Sequence, residues 1–246
     1  MKNSTCPLTL IKNLSLGLLV LALPQMARAD DIPATVTSIK GDVTVVDASG
    51  QHVDITQGSK IPVGDTIKTG ADGTVGLTLT PGSGTVVMPN SSVKISTLDF
   101  NKGSDGSNNR KIRLNLKNGS LISTLFKKDG HSDFQVSTPY GVAAAKGTSW
   151  EVIVSGTTLT VEVANGIVKV TDPSGKVLAT LNQDQQYDTK TNAVSALSDA
   201  ALQALLAALQ TFLPDLTQQQ LIQSLQNATI NPSTDVNKNA INSPNQ

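Results

Sequence analysis

Short runs of alternating apolar and polar residues, separated by turn residues, fill the chain from Ala34 to about Tyr187. A period of two residues is typical of strands that bury one face, and the Gly- and Asn-containing breaks suit tight turns. The clearest alternating sets are Val36 with Thr35 and Thr37; Val43 and Val45; Val75, Leu77 and Leu79; Ile112, Leu114 and Leu116; and Leu159, Val161 and Val163, followed by Ile167 or Val168 and then Val170. The pattern predicts an all-β fold of many short strands, either a β-sandwich or a short β-solenoid.

Two distant segments of this region share one spacing. KGDVTVVDASGQHV (residues 40–53) and NGIVKVTDPSGKVL (residues 165–178) each contain a glycine, a Val-rich alternating run, an aspartate and a Ser-Gly pair. A strand–turn–strand hairpin explains each copy. Copies so far apart do not form a repeat array, which needs a fixed short period. We therefore expect each segment to form a hairpin with the same turn residues.

After Tyr187 the apolar spacing changes to three and four residues, which predicts amphipathic helices. One helix follows Ser198 as N-cap and ends at Pro214, and a second has a capping-box pattern that starts at Asp215 or Thr217. Its apolar positions are Leu221, Ile222 and Leu225, and those of the first helix are Leu202, Leu205, Leu206, Leu209 and Phe212 or Leu213. These patterns predict a helical hairpin over residues 195–228, followed by a disordered tail over residues 229–246.

The apolar stripe of the first helix must be buried, because an isolated helix of this length is marginal in water. The stripe does not keep a strict heptad over several turns, as a coiled coil would. We therefore expect it to pack on the β domain of the same chain. Self-association of two copies through these helices is the alternative.

The first 29 residues have the three parts of a secretory signal peptide. Lys2 and Lys12 precede an apolar run over residues 14–23, and an Ala-Arg-Ala sequence ends at Ala29. The run is shorter than the roughly 20 residues of a membrane span. We expect cleavage after Ala29, export to the periplasm or the cell exterior, and no transmembrane segment in the mature chain. Cleavage also removes Cys6, the single cysteine, so the mature chain forms no disulfide.

Composition and charge limit the function. Of 246 residues, 38% are hydrophobic and 15% charged, enough apolar material for a core. The mature chain would carry 16 Lys and Arg against 19 Asp and Glu, without a basic stripe along the sequence, so we expect no nucleic-acid partner. The domains predicted are the signal peptide (residues 1–29), the β domain (34–190), the helical hairpin (195–228) and the tail (229–246).

No catalytic, metal or cofactor constellation is evident in the sequence. His52 and His131 lie in polar, turn-like settings without a second ligand at metal spacing, and Asp105 lies in a polar loop over residues 100–110 that lacks the acidic ligands of a calcium loop. TPGSGT (residues 80–85) lacks the lysine of a phosphate loop and predicts a hairpin turn. Glycoside hydrolysis needs two carboxylates close together in space, and a sequence does not show such pairs. An enzyme acting on polysaccharide is therefore the third hypothesis. We expect no enzyme, no cofactor and no metal.

The segment FQVSTPYGVAAAKGTSWEV (residues 134–152) predicts a tightly packed corner. Thr138-Pro139 ends one strand, since proline donates no ladder hydrogen bond. The alanines that follow allow close approach of another backbone, and Gly147 permits a bulge or sharp bend before Trp150. Lys146 then needs only to reach solvent or a local carbonyl, and we expect it to be a structural or surface residue rather than a catalytic one.

The same residues, in the pattern FxVxTPxGVAxxxGTxWxV, resemble the signature of the FecR domain. Around this segment, four others fall in the family's order: GDTIKTGADGTVGLTL (residues 64–79), MPNSSVKI (88–95), LKNGSL (116–121) and VEVANGIVKV (161–170). The resemblance covers about Val36 to Tyr187. It implies a periplasmic β-rich domain. The best-understood members belong to regulators that sense a loaded outer-membrane siderophore transporter and release a sigma factor.

This chain departs from those regulators, because a signal peptide stands where they have a sigma-factor-binding segment and a membrane span. It resembles free-standing exported FecR-domain proteins instead. We expect an exported, non-enzymatic binding module of the cell envelope whose partner is another envelope protein. The alternative is a structural or surface-display component of the envelope or matrix.

Overall fold

The computed structural model describes residues 32–104, 106–126 and 131–216, which contain 15 β-strands and one α-helix. The strands are β1 (Ala34–Lys40), β2 (Val43–Val46), β3 (His52–Val53), β4 (Lys60–Ile61), β5 (Thr66–Thr69), β6 (Thr74–Thr80), β7 (Ser83–Val87), β8 (Ser92–Lys102), β9 (Asn108–Leu125), β10 (Ser132–Thr138), β11 (Gly141–Ser155), β12 (Thr158–Thr171), β13 (Val177–Leu181), β14 (Gln185–Asp188) and β15 (Ala193–Ala196), and helix α1 is Asp199–Phe212. The predicted all-β class with a C-terminal helical segment is confirmed.

All strands belong to one hydrogen-bonded sheet that is folded into two layers. The first layer has the order β4-β1-β6-β7-β9-β11-β12-β14-β15. The second has the order β3-β2-β5-β8-β9-β10-β11-β12-β13. The long strands β9, β11 and β12 contribute one half to each layer. This arrangement is a sandwich made from a single folded sheet.

One hydrophobic core fills the space between the layers. The predicted apolar positions Leu77, Leu114 and Val161 are all buried in it. The sequence left open whether Ile167 or Val168 points inward, and the structure buries Val168 while Ile167 is 53% exposed. Register shifts in the pairing of β11 with β12, between Lys146 and Trp150, decide which residues of β12 face the core.

Left-handed glycines lie where strands pass from one layer to the other. Gly119 in β9, Gly147 in β11 and Gly166 in β12 have φ of 90°, 64° and 89°. A Cβ on Gly119 would lie 2.2 Å from Ser91 Oγ, and one on Gly166 would lie 2.6 Å from the carbonyl oxygen of Gly147. Both conformation and space therefore require glycine at these crossings. The bulge expected at Gly147 is confirmed.

The two similar segments form the same hairpin, as predicted. Asp47 Oδ1 accepts hydrogen bonds from the Ser49 amide, the Ser49 hydroxyl and the Gln51 amide after β2. Asp172 Oδ1 accepts the equivalent three from Ser174 and Lys176 after β12. These hairpins end in β3 and β13, the two edge strands of the second layer. The shared spacing therefore reflects one turn chemistry used at both edges.

Helix α1 packs on the outer face of the first layer. Ser198 is its N-cap, with its hydroxyl accepting from the Ala201 amide at 3.2 Å, and Leu213 is its C-cap. Leu205 and Leu209 are buried against Val86, Ile122 and other outward-facing apolar residues of the sheet. The hydroxyls of Thr37 and Ser38 in β1 donate to the carbonyl oxygen of Phe212, at 2.9 and 3.0 Å. Docking within the chain, the arrangement favoured from the sequence, is thus observed.

The structure differs from the sequence analysis in two places. Residues 193–196 form β15, an exposed edge strand without apolar alternation that exists because it pairs with β14. The polar stretch over residues 100–110, expected to be an exposed loop, belongs largely to β8 and β9. Between the two strands, the Gly103 amide donates a hydrogen bond to the Ser107 carbonyl oxygen at 2.7 Å. Hydrogen bonding between β8 and β9 therefore extends both strands into this stretch, although it contains few apolar residues.

Several predictions concern residues outside the described part of the chain. These are the signal peptide, Asp105, nearly all of the second helix and the C-terminal tail. Residues 214–216 are again helical, directly after the C-cap of α1. Within the described residues, no helix has both the length and the apolarity needed to cross a bilayer.

Candidate functional site

A groove of about 760 Å³ opens at one end of the sandwich, below the end of α1. The turn between β6 and β7 forms one wall with Pro81 and Gly82, and residues 213–216 after α1 form another. The hairpin of β8 and β9 supplies Phe100, Lys102, Asn108 and Arg110, and Thr37, Gln57 and Thr78 complete the lining. The groove thus combines apolar walls with polar and basic groups, as ligand sites commonly do.

Arg110 is the most unusual residue of this groove. It is only 3% exposed. Its Nε donates to the carbonyl oxygen of Pro81 at 2.8 Å and its Nη1 to the Ser132 hydroxyl at 3.3 Å. Its Cζ lies 5.7 Å from the centre of the Phe100 ring. These contacts hold the guanidinium in one orientation.

The positive charge of Arg110 has no acidic partner in the described part of the chain. The one ion pair found there joins Arg113 to Asp133 on the outer face of the second layer. Burial lowers the pKa of the Arg110 guanidinium, but an arginine stays protonated in proteins. Among the described residues, this buried cation is therefore hydrogen-bonded to neutral acceptors only.

Gly82 lies beside one end of this guanidinium. A Cβ at position 82 would lie 3.4 Å from Arg110 Nη2 and 3.3 Å from the Phe126 ring. The φ of Gly82 is 78°, which also favours glycine. Nη2 makes no hydrogen bond to any described residue, and both Gly82 and Arg110 line the groove. The arrangement can accept an anion in the plane of the guanidinium.

Two carboxylates lie together elsewhere, on the outer face of the first layer beside α1. Glu151 of β11 is directly opposite Glu162 of β12, and both are partly buried. Burial raises the pKa of Glu151, although a hydrogen bond from the Ser120 hydroxyl opposes the shift. Burial and the charge of Glu151 raise the pKa of Glu162. Neither carboxylate lines the groove.

The residues considered in the sequence analysis as candidates for metal binding, catalysis or phosphate binding lie in different parts of the fold. His52 is exposed on edge strand β3, and His131 is exposed just before β10. Lys146 is exposed on the outer face of the second layer, opposite Ile167, and residues 80–85 form the predicted β6–β7 hairpin. Across the described ranges, no three or more His, Cys, Asp or Glu side chains group closely enough to hold a metal ion.

Sequence reasoning missed Arg110, because a single arginine in a stretch of Asn, Gly and Ser has no apolar context. The alternation itself could have indicated it. Arg110 lies two residues before Ile112, and residues two apart in a strand point to the same face, here the inward one. An inward arginine at the end of an apolar alternation indicates either an ion pair or a ligand site.

Comparison with known proteins gives one family match. Residues 65–169 match the model of the family described as FecR protein, from the start of β5 into β12. The match includes Arg110 and the Gly147 corner, but it covers less of the chain than the resemblance noted from the sequence motifs. No protein of curated function matches the chain.

Two crystal structures of a proposed anti-sigma factor from Parabacteroides distasonis ATCC 8503 resemble part of the chain. One has 20% identity and a TM-score of 0.45, over 57% of this chain and 64% of that protein. The other has 18% identity and a TM-score of 0.44, over 57% of this chain and 63% of that protein. The chain therefore spans less than two thirds of the length of these proteins, and a likeness this low carries no functional argument.

Proposed function

We propose that this chain, whose residues 65–169 match the family described as FecR protein, is an exported, non-enzymatic binding module of the cell envelope. The mature chain would begin at Asp30 and act in the periplasm or outside the cell. Its partner is another envelope protein, held in the groove below α1.

The observation that supports this function best is the groove itself. It has apolar surface from Pro81, Phe100 and Leu213 and hydrogen-bonding groups from Thr78 and Asn108. Its walls include two hairpins and the segment after α1, so a bound segment would contact strands and helix together. Clefts of this size and mixed chemistry suit a protein segment better than a flat exposed sheet does.

Site-specific photo-crosslinking in intact cells tests this function. A photoreactive side chain at Lys102, an exposed residue lining the groove, should give a crosslink to one envelope protein, identified by mass spectrometry. The matched control is the same group at Lys146, exposed on the outer face of the second layer. Crosslinks from Lys146 and none from Lys102 would contradict binding in the groove.

One observation favours the second candidate, a structural or surface-display component. The outer face of the second layer is open and carries exposed Lys94, Lys111, Lys146 and Lys169 on four strands. None of these lysines takes part in the ion pair found in the described chain. Crosslinking from Lys146 to anionic envelope glycan would support this role.

A further inference from the structure

We propose that Arg110 is a carboxylate receptor, and that the groove selects a partner segment by an Asp or Glu side chain placed against the Arg110 guanidinium. This inference rests on the proposed function, since the carboxylate is taken to come from the envelope partner. It assigns a ligand chemistry to the groove and a recognition role to one residue.

The first argument is the charge balance of the buried site. A guanidinium that is 3% exposed has left most of its water, and only two of its five N–H groups bond to described acceptors, the carbonyl of Pro81 and the hydroxyl of Ser132. Burial of an ion is costly unless an opposite charge and hydrogen bonds compensate it. The described chain supplies hydrogen bonds but no opposite charge. A carboxylate from a bound partner would supply both the opposite charge and further hydrogen-bond acceptors for the Arg110 guanidinium.

The second argument is shape. The planar fork of an arginine fits the two oxygens of a carboxylate, with two parallel N–H···O bonds. At Arg110 the Nε donates to the carbonyl oxygen of Pro81, while Nη2 lies towards Gly82, which has no side chain of its own, and beside Phe126. A Cβ at position 82 would narrow this approach. Gly82 thus opens the site that Arg110 would use.

The third argument separates carboxylates from phosphates. Among the described residues that line the groove, Lys102 is a second, exposed cation and Asp215 the one acid, so that together with Arg110 these residues carry a net charge of about +1. A single carboxylate balances this charge, whereas a phosphate monoester carries nearly two negative charges. The apolar walls from Pro81, Phe100, Leu213 and Leu216 also match a peptide segment better than a free ion. A carboxylate on a polypeptide is the ligand that fits both features.

NMR of the mature protein provides the test, because its only arginines are Arg110 and Arg113. Arg113 is paired with Asp133 and serves as an internal reference. The probes are acetyl-Gly-Glu-Gly-amide, its Gln analogue and inorganic phosphate at constant ionic strength. The Nε–H signal of Arg110 should move saturably with the Glu peptide, while that of Arg113 stays fixed and the Gln peptide has no effect.

Variants assign the effect to the guanidinium, with the Gly82 amide as reporter of binding. Arg110→Lys keeps the charge but loses the fork, and should weaken Glu-peptide binding about tenfold. Asp215→Asn removes the acid of the groove and should strengthen binding. Asp235→Asn removes the single acidic side chain after residue 216 and should change nothing. Folding of each variant is checked by the unchanged Arg113 signal.

The contrary results separate failure of the inference from failure of the proposed function. Equal shifts of Arg110 and Arg113 would indicate a general ionic effect, and equal binding of phosphate would refute the choice of carboxylate. No shift at Arg110 would refute the receptor, even if Lys102 still crosslinked to a partner, in which case the proposed function survives alone. Stronger binding after Asp235→Asn would show that the chain's own carboxylate competes for the site. Peptide binding without any crosslink at Lys102 would leave the receptor intact but refute the envelope partner.

Discussion

The ring of Phe134 meets the ring of Trp150 edge to face, with centroids 5.6 Å apart and planes at 81°. Phe134 belongs to the second layer, on β10, and Trp150 to the part of β11 that lies in the first layer. Both side chains are fully buried. The contact therefore joins the two layers just beyond the bulge at Gly147, and an edge-to-face pair of this kind adds to the area that each ring buries.

The corner at Gly147 gives the first prediction. Gly147→Val should lower the free energy of unfolding by about 1–3 kcal/mol, because a β-branched residue is strained at φ 64°. Displacement of β11 would also loosen the Phe134–Trp150 contact. Urea unfolding followed by tryptophan fluorescence measures the effect, since Trp150 is the single tryptophan.

The neighbouring residue is the matched control for that corner. Lys146→Ala removes an exposed side chain and should change stability by less than about 0.5 kcal/mol. A Gly147→Val midpoint equal to that of the parent protein would rule out the strained corner.

Docking of α1 gives the second prediction. Leu209 is 3% exposed against the outer face of the first layer, so Leu209→Ala should destabilise the docked helix by about 2–5 kcal/mol. Hydrogen exchange should report faster opening of the amides of α1, with less change in β9 and β11. The control is Leu206→Ala, because Leu206 of the same helix is 36% exposed. Equal exchange rates in the two variants would contradict docking through the Leu205–Leu209 face.

The carboxylate pair beside α1 gives a pH prediction. In the folded state the pKa of Glu162 is raised by burial and by Glu151, so this group favours unfolding as it becomes ionised. Stability should be highest below the unfolded pKa of about 4.3 and should fall as pH rises through the raised folded pKa. Glu162→Gln should therefore stabilise the protein at pH 7.5 and have little effect at pH 4. Urea midpoints at the two pH values measure this.

An acidic residue whose pKa is lowered in the folded state provides the control. The pKa of Asp172 is lowered, chiefly by the hydrogen bond from the Ser174 hydroxyl, so its contribution is present above the unfolded pKa and is lost as pH falls. Asp172→Asn should consequently destabilise the β12–β13 hairpin at neutral pH. If both variants shifted stability in the same direction at pH 7.5, the assigned causes would be wrong.

Export gives the fourth prediction. If the Ala-Arg-Ala sequence is a cleavage site, the native exported protein begins at Asp30 and lacks Cys6. Intact-mass analysis of protein recovered from the periplasm and the culture medium checks both points. Arg28→Pro alters the cleavage region while leaving the apolar run intact, and should slow processing. An exported chain that retains Cys6 would show that the segment is not removed.

The sequence by itself determined the elements that depend on local chemistry. Alternation with period two placed Val75, Leu77 and Leu79 in one buried set, and the spacing around Asp47 and Asp172 specified two identical turns. Ser198 and the leucines after it defined α1, and Gly147 marked a bend. In each case a residue type satisfies a requirement of its immediate neighbours, so a short window of sequence contains the information.

Only the tertiary structure decided which distant residues meet. Arg110 lies in the groove because β8 and β9 extend into the polar stretch and bring Phe100, Pro81 and Ser132 around it. Glu151 and Glu162 become neighbours through the register of β11 and β12, which the bulge beside Gly147 sets. The edge strand β15 exists only through its pairing with β14. Register and layer crossing are collective properties of paired strands, and a one-residue shift would move every side chain of a strand to the opposite face.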